Sequence, residues 1–205
     1  MVDSAPDIGA ALNVAMAAAG LPGVNESLTR HWIGHGSRVL LEQALSHHGR
    51  AELLRDEATV SKLLAVFIDH YKAHIADVGQ PYAGVVETLT TLQRRGVGLA
   101  VVTNKLTGLS QQVLQALDLR AYFDIVVCGD TLAVSKPNAA PALHACAALG
   151  VAPADALFVG DSITDVDTAR NAGCPVVCVR DGYNHGTPAD ALGADGVIDS
   201  FTELL

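Results

Sequence analysis

The sequence predicts an α/β protein in which a helical segment is followed by a parallel sheet covered by helices on both sides. From Gly84 onward, short apolar, β-branched runs alternate with helical segments. These runs lack the apolar–polar alternation of a half-exposed strand, so each reads as a strand buried on both faces. Before that point, from about Ser4 to Val78, apolar residues recur at helical spacing and no strand signal appears. Repeated strand–helix units make an open three-layer sheet, whose ligands sit beyond the carboxyl ends of the strands.

Ser4 followed by Pro6 and Asp7 reads as a helix start, because proline is tolerated in the first turn and a carboxylate there complements the helix dipole. That helix runs through Ile8, Leu12, Ala15, Met16 and Ala19 and stops at Gly20. A second spans Ser37–His47 with Val39, Leu40 and Ala44 inward, and a third runs from Thr59 to Ala76 with Leu63, Leu64, Phe67 and Ile68 on one face. The strands that follow are Val97–Thr103, Ile125–Cys128, Ala156–Val159, Val176–Val179 and Gly196–Ile198. The helices are Val85–Arg94, Gly108–Leu117, Ala139–Leu149 and Thr164–Ala172. This order puts Thr103-Asn104, Gly129-Asp130, Gly160-Asp161 and Arg180-Asp181 at the ligand edge of the sheet.

Half of the 205 residues are apolar and 17% are charged, so there is ample material for a core. Lys and Arg number 13 against 22 Asp and Glu, a formal charge of -9. That balance argues against nucleic acid and anionic membrane as partners. Met1–Ala10 does not read as a signal peptide, and no apolar run is long enough for a membrane span, so a cytoplasmic location is expected. Cys128, Cys146, Cys174 and Cys178 lie in apolar runs without metal-ligand spacing and read as buried thiols in a reducing compartment.

Phe158-Val159-Gly160-Asp161-Ser162-Ile163-Thr164-Asp165 is the strongest local signal. An apolar strand ends in glycine, one aspartate stands at its tip, and a second follows at a helix start. Two carboxylates so placed suit a hard cation such as Mg2+; the other reading of Asp165 is a helix cap. Thr103-Asn104-Lys105 offers a hydroxyl, an amide and backbone N–H groups to a phosphate oxygen, or is an ordinary strand-end turn. Pro137 restricts Lys136 toward an extended backbone, so its ammonium is either presented from the loop or simply solvated. His31, Trp32, Gly34, His35 and Gly36 form a stretch between two helices, readable as a substrate loop or a plain turn. Asp181–Gly186 is a turn-rich loop after a strand.

Thr-Asn at one strand end, Lys-Pro beyond the next and Gly-Asp-x-x-x-Asp at the third resemble, in that order, the haloacid dehalogenase-like phosphohydrolases. Several longer strings resemble the bacterial phosphoglycolate phosphatases among them: Val2-Asp3-Ser4-Ala5-Pro6-Asp7, Trp32-Ile33-Gly34-His35-Gly36, Gly129-Asp130-Thr131-Leu132 through Lys136-Pro137, and Gly182-Tyr183-Asn184-His185-Gly186. The resemblance implies a Rossmann-like core of residues 1–7 and 79–205 with an all-helical cap, residues 8–78, inserted after the first strand. It implies Mg2+ as cofactor and a small phosphorylated metabolite as substrate, in a monomer or homodimer. Thr103 would supply the phosphate-binding hydroxyl, supported by Asn104. Lys136 would bind phosphate and neutralise the nucleophile and the transferring phosphoryl group. Asp161 would be a metal ligand, with Asp165 outside the inner shell.

In that family the chemistry begins on a first strand ending in D-x-D-G-T, whose first aspartate attacks phosphorus and whose second is the acid and base. No such string is present, and Val2-Asp3-Ser4 matches the residues just after it. Asp3 and Asp7 are therefore not read as its replacement. The missing strand is expected to be central, between Val97–Val102 and Ala156–Val159, leaving a gap or a repacked seam. The leading expectation is a Mg2+-dependent phosphomonoesterase of the phosphoglycolate phosphatase type, inactive as these residues alone and weak in Mg2+ binding. The others are a non-catalytic relative that binds phosphate or metal, and another small-phosphate hydrolase or mutase.

Overall fold

The computed structural model describes residues 1–205. The chain divides into two compact units, one of Val2–Gln80 and one of Met1 with Pro81–Leu205. A short strand pair, β1 (Val2–Asp3) with β2 (Gln80–Pro81), lies where the chain passes between them.

In the first unit the helices are α1 (Ala5–Ala18), α2 (Glu26–Trp32), α3 (Ser37–His47) and α4 (Glu57–Ala73). Gly9, Ala11 and Ala15 on the buried face of α1 allow a close approach, and α1 packs most extensively on α4. Leu12 and Met16 of α1 and Val60, Leu63, Phe67 and Tyr71 of α4 are all buried. Full burial of an aliphatic side chain of this size stabilises by ~1.5–3 kcal/mol. The buried face of α3 is Leu40, Leu41, Ala44 and Leu45, so Leu41 and Leu45 join the expected Leu40 and Ala44, while Val39 is half-buried. Asp7, buried in α1, accepts the backbone N–H groups of Val78 (2.9 Å) and Gly79 (3.0 Å) and so ties the start of the unit to its end. Residues up to Asp7, expected with the sheet, therefore fall from Val2 on within the helical unit.

Helix α2 went unread in the sequence because only Thr29 in it is buried, which leaves no apolar period. His31 and Trp32 are its last turn, so the expected interhelical stretch is shortened to Ile33–Gly36. The Asn25 side chain accepts from the Leu28 N–H at 2.9 Å, so the helix begins at a true cap. Helix α4 starts earlier than Thr59 because Asp56 caps it through the Ala58 N–H.

The second unit contains α5 (Val85–Arg94), β3 (Ala100–Val102), α6 (Thr107–Ala116), β4 (Ile125–Val127), α7 (Ala140–Leu149), β5 (Phe158–Gly160), α8 (Ile163–Ala172), β6 (Val176–Val179) and β7 (Gly196–Ile198). All pairings among β3 to β7 are parallel: β3 lies on β4, with Ala100 opposite Ile125, and β6 lies between β5 and β7. The parallel strands form two small sheets, β3-β4 and β5-β6-β7, with no ladder joining β3 to β5, the position where a gap or a repacked seam is expected. The expectation of burial on both faces holds best for β6, while every residue of β3 and β5 is only half-buried.

Two strands are shorter than the apolar runs suggest, because neighbouring turns take their first residues. The Val97 N–H closes the end of α5 by donating to Leu92, just past the left-handed Gly96, so β3 begins at Ala100. The Ala156 N–H closes the Pro153–Asp155 turn, so β5 begins at Phe158. Ala142 and Cys146 of α7 pack with Val166, Ala169 and Ala172 of α8, with Cys174, with Val176 and Cys178 of β6, and with Leu192. All four cysteines are buried free thiols, as expected. Burial, with Cys146 alongside, pushes the Cys174 thiol up to about 11.

Candidate active site

β5 ends at Gly160, Asp161 follows, and α8 starts at Ile163. A β-carbon on Gly160 would lie 2.2 Å from Cβ of Asp165, so only glycine lets the helix start fold back against the strand end. Asp165 is thereby brought into the turn. Its Oδ2 accepts from the Asp161 N–H (3.0 Å) and the Ser162 hydroxyl (2.9 Å). Its Oδ1 meets Lys136 Nζ at 2.6 Å. Asp165 thus organises the helix start and also anchors the lysine.

Lys136 is not a solvated loop residue. Its side chain is 12% exposed and that of Asp165 8%. Its ammonium also lies 5.9 Å from the Phe158 ring centre, within range of a cation–π attraction. The Asn104 side chain holds the lysine backbone from both sides, its Oδ1 accepting from the Lys136 N–H (3.0 Å) and its Nδ2 donating to the Lys136 carbonyl (3.1 Å). Asn104, expected to help hold phosphate, therefore has its amide engaged in fixing the Lys136 loop. Thr103, one residue earlier, receives the Lys105 N–H on its hydroxyl oxygen at 3.1 Å, which leaves the hydroxyl proton for another acceptor.

The Asp161 carboxylate accepts the Tyr183 N–H at 3.3 Å. A β-carbon on Gly182 would stand 2.0 Å from Cβ of Asp161, so the Gly182-Tyr183 turn lies directly against this side chain. The two carboxylates are driven apart. Burial and then the neighbouring Asp165 push Asp161 up, against the pull of the Tyr183 N–H. Burial opposes ionisation of Asp165 too, but the charge and hydrogen bond of Lys136, with the Asp161 and Ser162 donors, hold it below the usual carboxylate range.

Hydrogen bonds and ion pairs thus link Asn104, Lys136, Asp165 and Asp161, with Thr103 adjoining. The other two strand-end pairs serve the scaffold. Asp130 accepts the N–H and hydroxyl of Thr107 at the start of α6, and Arg180 pairs with Asp190 and Asp199. In the helical unit, Asp3 pairs with Arg30 at 2.7 Å and Asp7 holds the Val78 and Gly79 N–H groups. Sequence reasoning missed the Lys136–Asp165 pair, and no local signal marks it across 29 positions. It also missed the contact of Gly182-Tyr183 with Asp161, although the turn itself was legible.

No group of three or more His, Cys, Asp or Glu side chains is placed to hold a metal ion. Both Asp165 oxygens are engaged within the protein, which leaves Asp161 as the one carboxylate of the pair suited to direct ligation. A buried carboxylate pushed up by its surroundings is one that a cation would stabilise, and Mg2+ sites commonly use one or two carboxylates completed by water and substrate phosphate.

Comparison with known proteins gives the family to which this fold and its lysine–carboxylate cluster belong. Residues 1–179 match the family model for haloacid dehalogenase-like hydrolase, and the chain belongs to that family. It is similar to the phosphoglycolate phosphatase of Caulobacter vibrioides, at 41% identity over 100% of this chain and 84% of that protein. It is similar also to that of Escherichia coli K12, at 36% identity over 100% of this chain and 87% of that one. A crystal structure of a predicted phosphoglycolate phosphatase from Haemophilus somnus 129PT superposes with a TM-score of 0.93 at 33% identity, covering 100% of this chain and 91% of the other.

Proposed function

We propose that the chain carries the phosphate-handling part of a Mg2+-dependent phosphomonoesterase acting on a small phosphate such as 2-phosphoglycolate. Family membership and the named relatives support a phosphatase. The observation that carries the reading further is the held cation: Lys136 is buried, paired with Asp165 and clamped by Asn104 beside the Thr103 hydroxyl. A preorganised cation and donor at strand ends suit the charge that develops on a transferring phosphoryl group. Lys136 would face the phosphoryl oxygens, the Thr103 hydroxyl would donate to one of them, and Asp165 would keep the ammonium aimed. Mg2+, held by Asp161 with water and the substrate completing its shell, would supply further neutralisation of phosphoryl charge.

The aspartyl-phosphate route needs a carboxylate nucleophile and an acid–base partner. Asp3 and Asp7 are engaged in the helical unit, and no D-x-D-G-T string occurs among the 205 residues. We place the nucleophile on a first strand that would lie between β3 and β5, with the helical unit acting as a cap. These residues alone should then be inactive and bind Mg2+ weakly. The four reduced, buried thiols support a cytoplasmic location.

The test measures Mg2+-dependent phosphate release from 2-phosphoglycolate by this chain and by a version carrying a D-x-D-G-T strand ahead of Val2. Release by the second alone, abolished by Lys136→Met, is expected. Equal release by both would refute the placement of the nucleophile. No release by either on 2-phosphoglycolate, but release from another small phosphate, would reassign the substrate. No release on any phosphate would leave the non-catalytic reading in its place.

A further inference from the structure

Near the end of α4, away from the lysine–carboxylate cluster in sequence, two histidines stand one turn apart. The His70 and His74 rings have centroids 4.4 Å apart and are tilted by 34°. His74 Nδ1 lies 2.9 Å from Oδ2 of Asp77, and both side chains are exposed, at 51% and 58%. His70 is half-buried against the helical unit.

We propose that the two imidazoles of His70 and His74, the latter oriented by Asp77, form a two-ligand surface site for a borderline divalent transition cation of the Zn2+ or Ni2+ type. His74 follows His70 by four residues as the C-cap of α4 and its ring stands beside that of His70, close to the i, i+4 spacing at which helical histidine pairs take zinc. Imidazole nitrogen selects this class of cation over Mg2+ and Ca2+, which prefer oxygen. Asp77 does the work of an orienting carboxylate: a proton on Nδ1 of His74 is held toward it, which turns the Nε2 lone pair outward as a ligand. His70 and His74 are the ligands, and water fills the remaining positions.

The helix end favours the same occupant. His70 lies in the last turn of α4 and His74 is its C-cap, with its N–H closing on the His70 carbonyl. A helix C-terminus carries partial negative charge, so a cation there meets a favourable field. The formal charge of the whole chain, -9, points the same way. Such a site would staple the last turn of α4 to the residue that ends it.

The test is isothermal titration of the whole chain at pH 7.5 with Zn2+, Ni2+ and Mg2+ chlorides separately. The wild-type chain should show a saturable transition-metal site that Mg2+ does not fill. The double variant His70→Gln/His74→Gln should lose that site, whatever weaker binding other histidines retain. Asp77→Asn should weaken it by about tenfold or more, the usual effect of removing an orienting partner. Absence of saturable binding, or unchanged binding by the double variant, overturns the site. Unchanged affinity in Asp77→Asn overturns the role of the carboxylate. Circular dichroism of each variant keeps loss of binding separate from loss of the helix.

Discussion

Replacing Lys136 by Met removes the cation from a pair whose side chains are only 12% and 8% exposed, while keeping most of the apolar stem. Breaking a buried pair by deleting one partner costs ~3–5 kcal/mol, because the other charge stays buried without compensation. The remaining donors to Asp165, the Asp161 N–H and the Ser162 hydroxyl, still hold its Oδ2, so the low end, about 3 kcal/mol, applies. Against a usual domain stability of ~5–15 kcal/mol, that is a large fraction. The control is Arg170→Met: the Arg170–Asp195 pair is 44% and 47% exposed, and such surface pairs contribute ~0–1 kcal/mol. The assay is urea unfolding followed by circular dichroism at pH 7, in low and in 1 M salt (an ionic strength with a Debye length of about 3 Å). Lys136→Met should lower the midpoint at both salt concentrations, and Asp165→Asn in the same chain should recover part of the loss. A loss under ~1 kcal/mol, or the same loss with and without Asp165→Asn, would refute the account of a buried, coupled pair.

Asp161 and Asp165 contribute to stability with opposite signs of pH dependence. Asp165, held low in the folded state, stabilises above the unfolded carboxylate value of about 3.9, and this is lost as pH falls through its lower folded value. Asp161, pushed up mainly by burial, opposes folding as pH rises from that unfolded value through its raised folded one. Asp161→Asn should therefore raise the urea midpoint more at pH 7 than at pH 3, and equal destabilisation at both would contradict this. Gly182→Ala should cost ~1–3 kcal/mol by forcing the turn away from Asp161, measured by urea unfolding; a neutral substitution would show that the turn yields freely. Asp7→Asn should cost about 1–3 kcal/mol by leaving one of the Val78 and Gly79 N–H donors without its acceptor, visible in the same assay.

What the sequence revealed divides along physical lines. Helices α1, α3, α4 and α5 carry either a long apolar stripe or clear end signals, and their spans are read closely. Helix α2 is short and buries one threonine, so only its Asn25 cap and Glu26 announce it. Strands were found by composition but over-extended, because Val97 and Ala156 look like strand residues yet close helical turns. At the site, Thr103 and Asp161 stood out through strand-end position, and Lys136 through the proline that follows it in a loop. The bond partners did not, because the Asn104–Lys136 and Lys136–Asp165 contacts depend on how three separate segments fold together. The amide of Asn104 could as well have faced a ligand; only the folded loop shows that it holds a backbone.

The order of the parallel pairings also sets an order of events during synthesis. β3 and β4 lie within one continuous stretch, and β5, β6 and β7 within a later one. Each sheet can close as its own stretch leaves the ribosome, and the helical residues between Val2 and Gln80 emerge before either. The lysine of the site is made well before its partner. Lys136 leaves the ribosome with its ammonium in water and can be drawn into the interior only once Asp165 and the first turn of α8 have followed, so translation itself delays the burial of that charge until it can be matched.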